Sequence, residues 1–191
     1  MSKELTSTID IAAPAPVVWT MLVDFNAFSS WNPFITSAKG PLEVGGRLTL
    51  RMQPVGGSAM TLRPSVVEVV EGHRLRWQGR LVVRGLFDAD HLFVVEPLGA
   101  DESRLVQQER FSGLLVPLFE RSLDRGTLPA FHAMNQALKA RAERATATRG
   151  RPDRPVASSE PIGPSAALPV EPPVAQFGGD GEGHRTVERG E

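Results

Sequence analysis

Arg74-Leu-Arg-Trp-Gln-Gly-Arg-Leu-Val-Val-Arg84 is the stretch on which the fold turns. Leu75, Trp77, Gly79, Leu81 and Val83 fall on one face, and Arg74, Arg76, Gln78, Arg80 and Val82 on the other. This is the two-residue period of a strand with one dry side and one wet side. Strands of that kind belong to antiparallel sheets with a single buried face. Arg47 to Met52 repeats the pattern, setting Leu48, Leu50 and Met52 against Arg47, Thr49 and Arg51. The outward arginines read as a solvated face whose charges discourage edge pairing, rather than as a contact for phosphates or acidic lipids.

Upstream, Glu4 to Ala12 alternates in the same way, with Leu5, Ser7, Ile9 and Ile11 on one face, and stops at Pro14. Pro14 and Pro16 suit the first turn of a helix whose apolar stripe is Val17, Val18, Met21 and Leu22. A second short helix is expected over Phe25 to Ser30. Beyond Trp31-Asn-Pro-Phe34, turns at Gly45-Gly46, Gly56-Gly57, Glu71-Gly72 and Leu98-Gly99 space a meander of about six strands. After Phe111-Ser-Gly113 the period becomes helical, with Phe119, Leu123, Phe131, Met134, Leu138 and Ala142 on one stripe through about Thr146. Pro129 lies inside that run, and its missing N–H and ring clash predict a kink. The order β-α-α-β6-α defines an α+β protein in which a long C-terminal helix covers a curved antiparallel sheet of about seven strands.

The 191 residues carry 21 basic and 22 acidic side chains, so no charge excess draws the chain to nucleic acid. There is no cysteine, hence no disulfide, thiolate nucleophile or Cys-based metal site. The N-terminus lacks a basic region followed by an apolar run, and no stretch approaches a membrane span, so no stable membrane insertion is expected and a cytoplasmic location is. The oligomeric state is left open. Composition changes near Arg149: residues 149–191 hold seven Pro and seven Gly with few large apolar side chains. That segment is expected to be a disordered tail on a folded domain of residues 1–148.

Several chemistries lack their motifs. His73, His91, His132 and His184 show no metal-ligand spacing, and HExxH, GxGxxG, the phosphate loop and the GxSxG elbow are all missing. No metal or cofactor is expected.

Four stretches carry a resemblance to a known family. They are Ile11-Ala-Ala-Pro14 with Val17-Val-Trp19 and Leu22-Val-Asp24; Phe28-Ser-Ser-Trp31-Asn-Pro33; the Val66 to Trp77 hairpin; and Asp88-Ala-Asp-His91-Leu-Phe93 with Gln108-Glu-Arg-Phe-Ser-Gly113. Across residues 3–146 the chain resembles the SRPBCC or START-like (Bet v 1-like) superfamily, in the branch of polyketide cyclases/dehydrases and lipid transport proteins. The resemblance implies a helix-grip fold with a cavity between sheet and helix. It does not choose an activity, because the superfamily includes lipid carriers, hormone receptors, aromatic cyclases, co-chaperones and oxygenase domains on one scaffold.

The alternation assigns that cavity's walls to Leu48, Leu50, Val67, Val69, Leu75, Trp77, Leu81 and Val83, with Phe119, Leu123, Phe131 and Met134 from the helix. Centring the last hairpin near residue 100 pairs Val95 with Leu105, Phe93 with Gln107 and His91 with Glu109. A one-residue slip would turn the apolar set outward. His91 and Glu109 are thereby expected inside, within hydrogen-bonding reach, either satisfying each other or meeting a ligand and moving a proton. Phe87 in the preceding loop and Phe111 complete the expected ligand contacts. Trp31 reads as structural, packed beneath the short helices.

Three readings remain open: a carrier of a small lipophilic molecule such as a lipid, quinone or polyketide-like compound; an aromatase/cyclase-like enzyme using His91 and Glu109; and a co-chaperone-like interaction module.

Overall fold

A computed structural model of the chain describes residues 1–80 and 83–149. The tail expected after the domain, and Leu81, which the alternation expects on the inner face, lie outside the described residues. The elements are strand β1 (Ser2–Ile11), helices α1 (Ala15–Val23) and α2 (Phe28–Trp31), and strands β2 (Ile35–Lys39), β3 (Thr49–Met52), β4 (Met60–Leu62), β5 (Ser65–Val70), β6 (Arg74–Arg80), β7 (Asp88–Pro97) and β8 (Ser103–Ser112). Helices α3 (Val116–Ser122) and α4 (Leu128–Arg149) follow. A 3₁₀ turn at Phe25–Ala27 leads into α2, so the second helix falls where Phe25 to Ser30 predicts it.

Five strands pair antiparallel in the order β1-β8-β7-β6-β5, and three in the order β2-β3-β4. Residues 45–48 stitch the two sets together: Val66 N–H donates to Gly46 O (2.8 Å) and Leu48 N–H to Pro64 O (2.9 Å). Eight strands result against the seven or so expected, because the run after β3 divides at Arg63-Pro64 into β4 and β5. The inner faces follow the alternation. Leu5, Ser7 and Ile11 of β1 are buried, as are Leu75 and Trp77 of β6, while Gln78 and Arg80 are exposed.

Two expected wall positions are corrected. β5 carries a bulge between Val66 and Glu68, so Val66 pairs with Trp77 and Val69 with Leu75, and Val67 is the extra residue. A bulge leaves one residue without a partner and resets the face of the residues after it. Val67 is accordingly exposed and Val66 is fully buried in its place. Val83 lies past the end of β6 in a bend and is 57% exposed.

Helix α4 grips the sheet through two adjacent stripes. Phe131, Met134, Leu138 and Ala142 are completely buried. Beside them His132, Asn135, Lys139 and Glu143 bind β1 and the turn after it. His132 Nδ1 and Ser7 Oγ lie 2.9 Å apart, Asn135 Nδ2 donates to Ser7 Oγ (3.0 Å), Lys139 Nζ to Asp10 O (2.6 Å), and Glu143 accepts from Ala12 N–H (2.9 Å). The inward Ser7 is thus satisfied, as a buried hydroxyl must be.

The single kinked helix expected after Gly113 is two α-helices joined by a π-turn at Leu123–Thr127. Pro129 comes next, in the first turn of α4, and has no N–H to return to the preceding turn. The wider turn absorbs the mismatch, with Leu128 N–H donating to Leu123 O. Gly126 O accepts from Val55 N–H (3.1 Å), which docks the loop after β3 on the π-turn.

Gly113 joins β8 to α3 at φ +128°, where a Cβ would lie 2.6 Å from Leu86 O. Both the backbone region and the close approach require glycine. Gly113→Ala is expected to destabilise the domain by about 1–3 kcal/mol, measured by urea denaturation, whereas Gly99→Ala, in open space, should change little.

Candidate functional site

The β7–β8 hairpin adopts the register that its sequence predicts, with Val95 opposite Leu105, Phe93 opposite Gln107 and His91 opposite Glu109. All six side chains are buried, Glu109 at 5% exposure and His91 at 1%. The polar residues on this face occupy successive cross-strand rows, so their contacts are set by the sheet.

His91 sits in an aromatic box. Its ring stacks on Phe93 at a centroid distance of 4.5 Å, and Trp77 and Phe131 each lie at 5.2 Å. Gln107 Nε2 donates to His91 Nε2 (3.1 Å) and lies 3.9 Å from Met134 Sδ. With Nε2 accepting, the neutral ring carries its proton on Nδ1, 3.4 Å from Glu109 Oε1. The expected contact between His91 and Glu109 is therefore a close approach without hydrogen-bond geometry, and Gln107 is the residue that orients the imidazole. His91 Nδ1 and Gln107 Oε1 are buried without hydrogen-bond partners among the described residues.

Next to this row the wall thins. Trp77 pairs with His91 on β6 and β7, but the next inward pair is Gly79 with Ala89, which leaves space where side chains would otherwise meet. A cavity of about 150 Å³ opens there. Phe34, Phe87, Phe111 and Phe119 supply its aromatic walls. Met52, Pro54, Met60 and Leu62 close it from the β3–β4 hairpin, and Thr127 from the π-turn. Glu109 is the sole carboxylate among the lining residues, and the exposed Arg80 stands where β6 ends. No protein donor forms a hydrogen bond to Glu109 among the described residues.

The expected contacts accordingly divide in two. Phe87, Glu109 and Phe111 line the cavity, with Phe119 from the expected helix wall. Trp77, His91, Phe93, Gln107, Phe131 and Met134 pack behind it as core, and Val83 is exposed and does not line it. Alternation put Met52 on the inner face without assigning it to the cavity, and it missed Phe34 and Met60. Counting outward from Gly56-Gly57 finds Met52 and Met60, because they stand directly opposite each other across the β3–β4 hairpin.

Trp31 is half-buried in edge-to-face contact with Phe28 (5.2 Å), and Asn32 Oδ1 accepts from the N–H groups of Phe34 and Ile35 (3.0 and 2.8 Å). This turn aims Phe34 into the cavity. On the outer face behind His91, Asp90 accepts from Arg76 Nε (2.6 Å) and Gln78 Nε2 (2.8 Å). Burial pushes the Asp90 carboxyl up, but these bonds outweigh it and hold the group below the usual aspartate range. Among the described residues no cluster of His, Asp or Glu is placed to hold a metal ion, and no helix is long and apolar enough to cross a membrane.

A curved antiparallel sheet wrapped around a long C-terminal helix, with a cavity between strands and helical segment, defines the helix-grip, START-like class of protein. The chain belongs to the polyketide cyclase / dehydrase and lipid transport family, whose sequence pattern matches residues 2–143. No curated protein sequence matches the chain significantly. Among solved structures, it is similar to an aromatase/cyclase from Streptomyces at 17% identity and a TM-score of 0.62, covering 78% of this chain and 99% of that one. It is similar also to norcoclaurine synthase from Thalictrum flavum at 15% identity and a TM-score of 0.61, covering 76% and 97%. A START superfamily protein from Mycobacterium smegmatis matches at 20% identity and a TM-score of 0.59, covering 74% and 98%. At these identities the likeness is one of fold.

Two measurements check the site. Imidazole ¹⁵N shifts should show His91 protonated at Nδ1 in its neutral form, and Gln107→Leu should remove that preference. Because the Asp90 carboxyl is held low, its ion pair stabilises above the ordinary aspartate pKa and is lost as pH falls through the lowered value. Asp90→Asn should therefore cost up to about 1 kcal/mol at neutral pH, with the difference from the parent vanishing in acid.

Proposed function

We propose that the protein binds a small lipophilic molecule of about one ring in size, which presents a hydrogen-bond donor to Glu109. The observation that carries this reading is a carboxylate that accepts no hydrogen bond from the described residues, with His91 Nδ1 at 3.4 Å, set in a cavity whose other walls are almost entirely apolar. An ionised carboxylate offers only acceptors. Its oxygens are the groups a ligand can satisfy there, and a hydroxyl or amine does so where a carbonyl does not. Volume bounds the rest. About 150 Å³ is the size of a void that takes up benzene and lies below the roughly 300–1,000 Å³ of sites for drug-sized ligands. A monocyclic phenol or amine, or the ring end of a longer molecule, fits it. Family membership supports this reading, since lipid transport stands in the family's description.

The same geometry carries a second reading, in which Glu109 acts as a general base on the bound donor group, with the imidazole of His91 behind it. His91 is enclosed by Trp77, Phe93, Phe131 and Gln107, so the group that would meet the substrate is Glu109. Carriage and catalysis then differ by whether a proton taken there leads to a product.

The test uses toluene, phenol and benzoate as matched probes, with Kd read by calorimetry and NMR titration. Phenol is expected to bind most tightly and benzoate least. Glu109→Gln should weaken phenol by about 1.5–3 kcal/mol, roughly ten- to a hundredfold, and leave toluene unchanged. Ala89→Leu, which fills the cavity from its floor, should abolish binding of all three. Failure of every probe to bind would sink the cavity reading. Equal binding of phenol, toluene and benzoate would sink the donor requirement alone.

A further inference from the structure

We infer that the rim of the cavity is a docking face for an anionic lipid surface. Leu114 and Leu118 are 79% and 77% exposed, and Val83 is 57% exposed. They belong to one patch. Leu114 and Leu118 stand four residues apart at the entrance to α3, and backbone bonds tie that entrance to the loop bearing Val83. Leu114 N–H donates to Gly85 O (3.1 Å), Leu115 N–H to Leu86 O (3.0 Å), and Leu86 N–H to Val83 O (3.3 Å). Next to Leu86 and Leu118 in the chain, Phe87 and Phe119 meet edge to face at 5.3 Å, and both line the cavity. The exposed Leu118 and the Leu86 to which Leu115 bonds are therefore chain neighbours of two aromatic rings that line the cavity.

Charge around the patch is one-sided. The acidic groups of α3 and the π-turn, Glu120 and Asp124, are both engaged by Lys3 of β1 (3.3 and 2.9 Å). Arg121 and Arg125 follow Leu118 at spacings of three and seven, which places them along the leucine side of the segment. Both are exposed, with no ion pair among the described residues, as are Arg80 and Arg84 at the opposite lip. The acidic residue on that lip is Asp88, whose carboxylate accepts from Gly85 N–H (2.7 Å).

Large apolar side chains held out in water and bordered by unpaired arginines match a bilayer surface on both counts. The leucines enter the acyl boundary while the guanidinium groups stay at the anionic headgroups. A protein partner would need shaped complementarity, whereas a lipid surface needs only these two properties. The Phe87–Phe119 contact would then face the membrane, where a lipophilic molecule resides. The binding is peripheral.

The test is co-sedimentation of the full chain with vesicles of phosphatidylcholine, alone and mixed with phosphatidylserine, at low and high salt. Binding is expected only to the mixed vesicles and should weaken as salt screens the arginines. Each arginine near an anionic leaflet is worth roughly fivefold in affinity, so Arg121→Ala with Arg125→Ala should lower partitioning by roughly 25-fold. Leu114→Glu with Leu118→Glu should abolish it. Both pairs alter exposed side chains, so their melting temperatures should equal the parent's, and this control is read alongside. Three outcomes would overturn the proposal: no binding to mixed vesicles at low salt, undiminished binding by the leucine variant, or a parent dimer that the leucine variant converts to monomer, which would make the face a contact between copies. None of them depends on probe binding in the cavity.

Discussion

With Val95 opposite Leu105, a two-residue period sends Phe93 and Gln107, and then His91 and Glu109, to the same inner face of the sheet. The rest of the interior is arranged around that constraint. A slip of β8 by one residue would expose Leu105 and Phe111 and bury Arg104 and Arg110 instead, and the cost of burying unpaired guanidinium groups forbids it. The apolar pairs at the turn end of the hairpin therefore hold the polar pairs at the other end inside. β1 pairs along the full length of β8, so the register extends to Ser7, and through Ser7 to His132 and Asn135 of α4. The helix is placed on the sheet by the same phase.

Polar groups forced inward must be paired or placed against open space. Gln107 pairs with His91, and the three aromatic rings around the imidazole exclude water from it. Glu109 stands opposite His91 and borders the next cross-strand row, where Gly79 and Ala89 face Phe111 and leave the cavity that it meets. The division between a sealed imidazole and an accessible carboxylate is thus a matter of side-chain volume on β6 and β7. Trp77 closes one row and Gly79 opens the next.

The parts legible in the sequence are those governed by a fixed period. The inner faces of β1, β6, β7 and β8, the stripe of α4 and the hairpin register all follow from alternation or helical spacing, and the structure agrees at each. Departures from period are where reading failed. The bulge in β5 exchanges Val67 for Val66, and neither residue differs enough from the other to announce it. The π-turn depends on how Leu123 to Thr127 must widen before Pro129, which spacing alone expresses only as a kink. Trp77 and Phe93 share a face with Glu109 and so looked equally available to a ligand. Whether a side chain on that face touches a cavity or a neighbour depends on what projects from the opposite wall. Phe34, from the turn before β2, and Met52 and Met60, from β3 and β4, arrive there from segments remote in sequence.

The small residues at the floor have an energetic consequence. A space of about 150 Å³ left beside these residues forgoes packing contacts that a filled core would supply. Valine or leucine at position 89 would recover many of them by filling the space. Alanine there, paired with glycine at 79, keeps the space open beside a carboxylate that accepts no hydrogen bond from the described residues, and both features work against stability in the empty state. A molecule that fills the void and donates to Glu109 reverses both at once. Binding and folding are then coupled through one row of the sheet, because whatever is gained on filling the site is gained by the folded state alone.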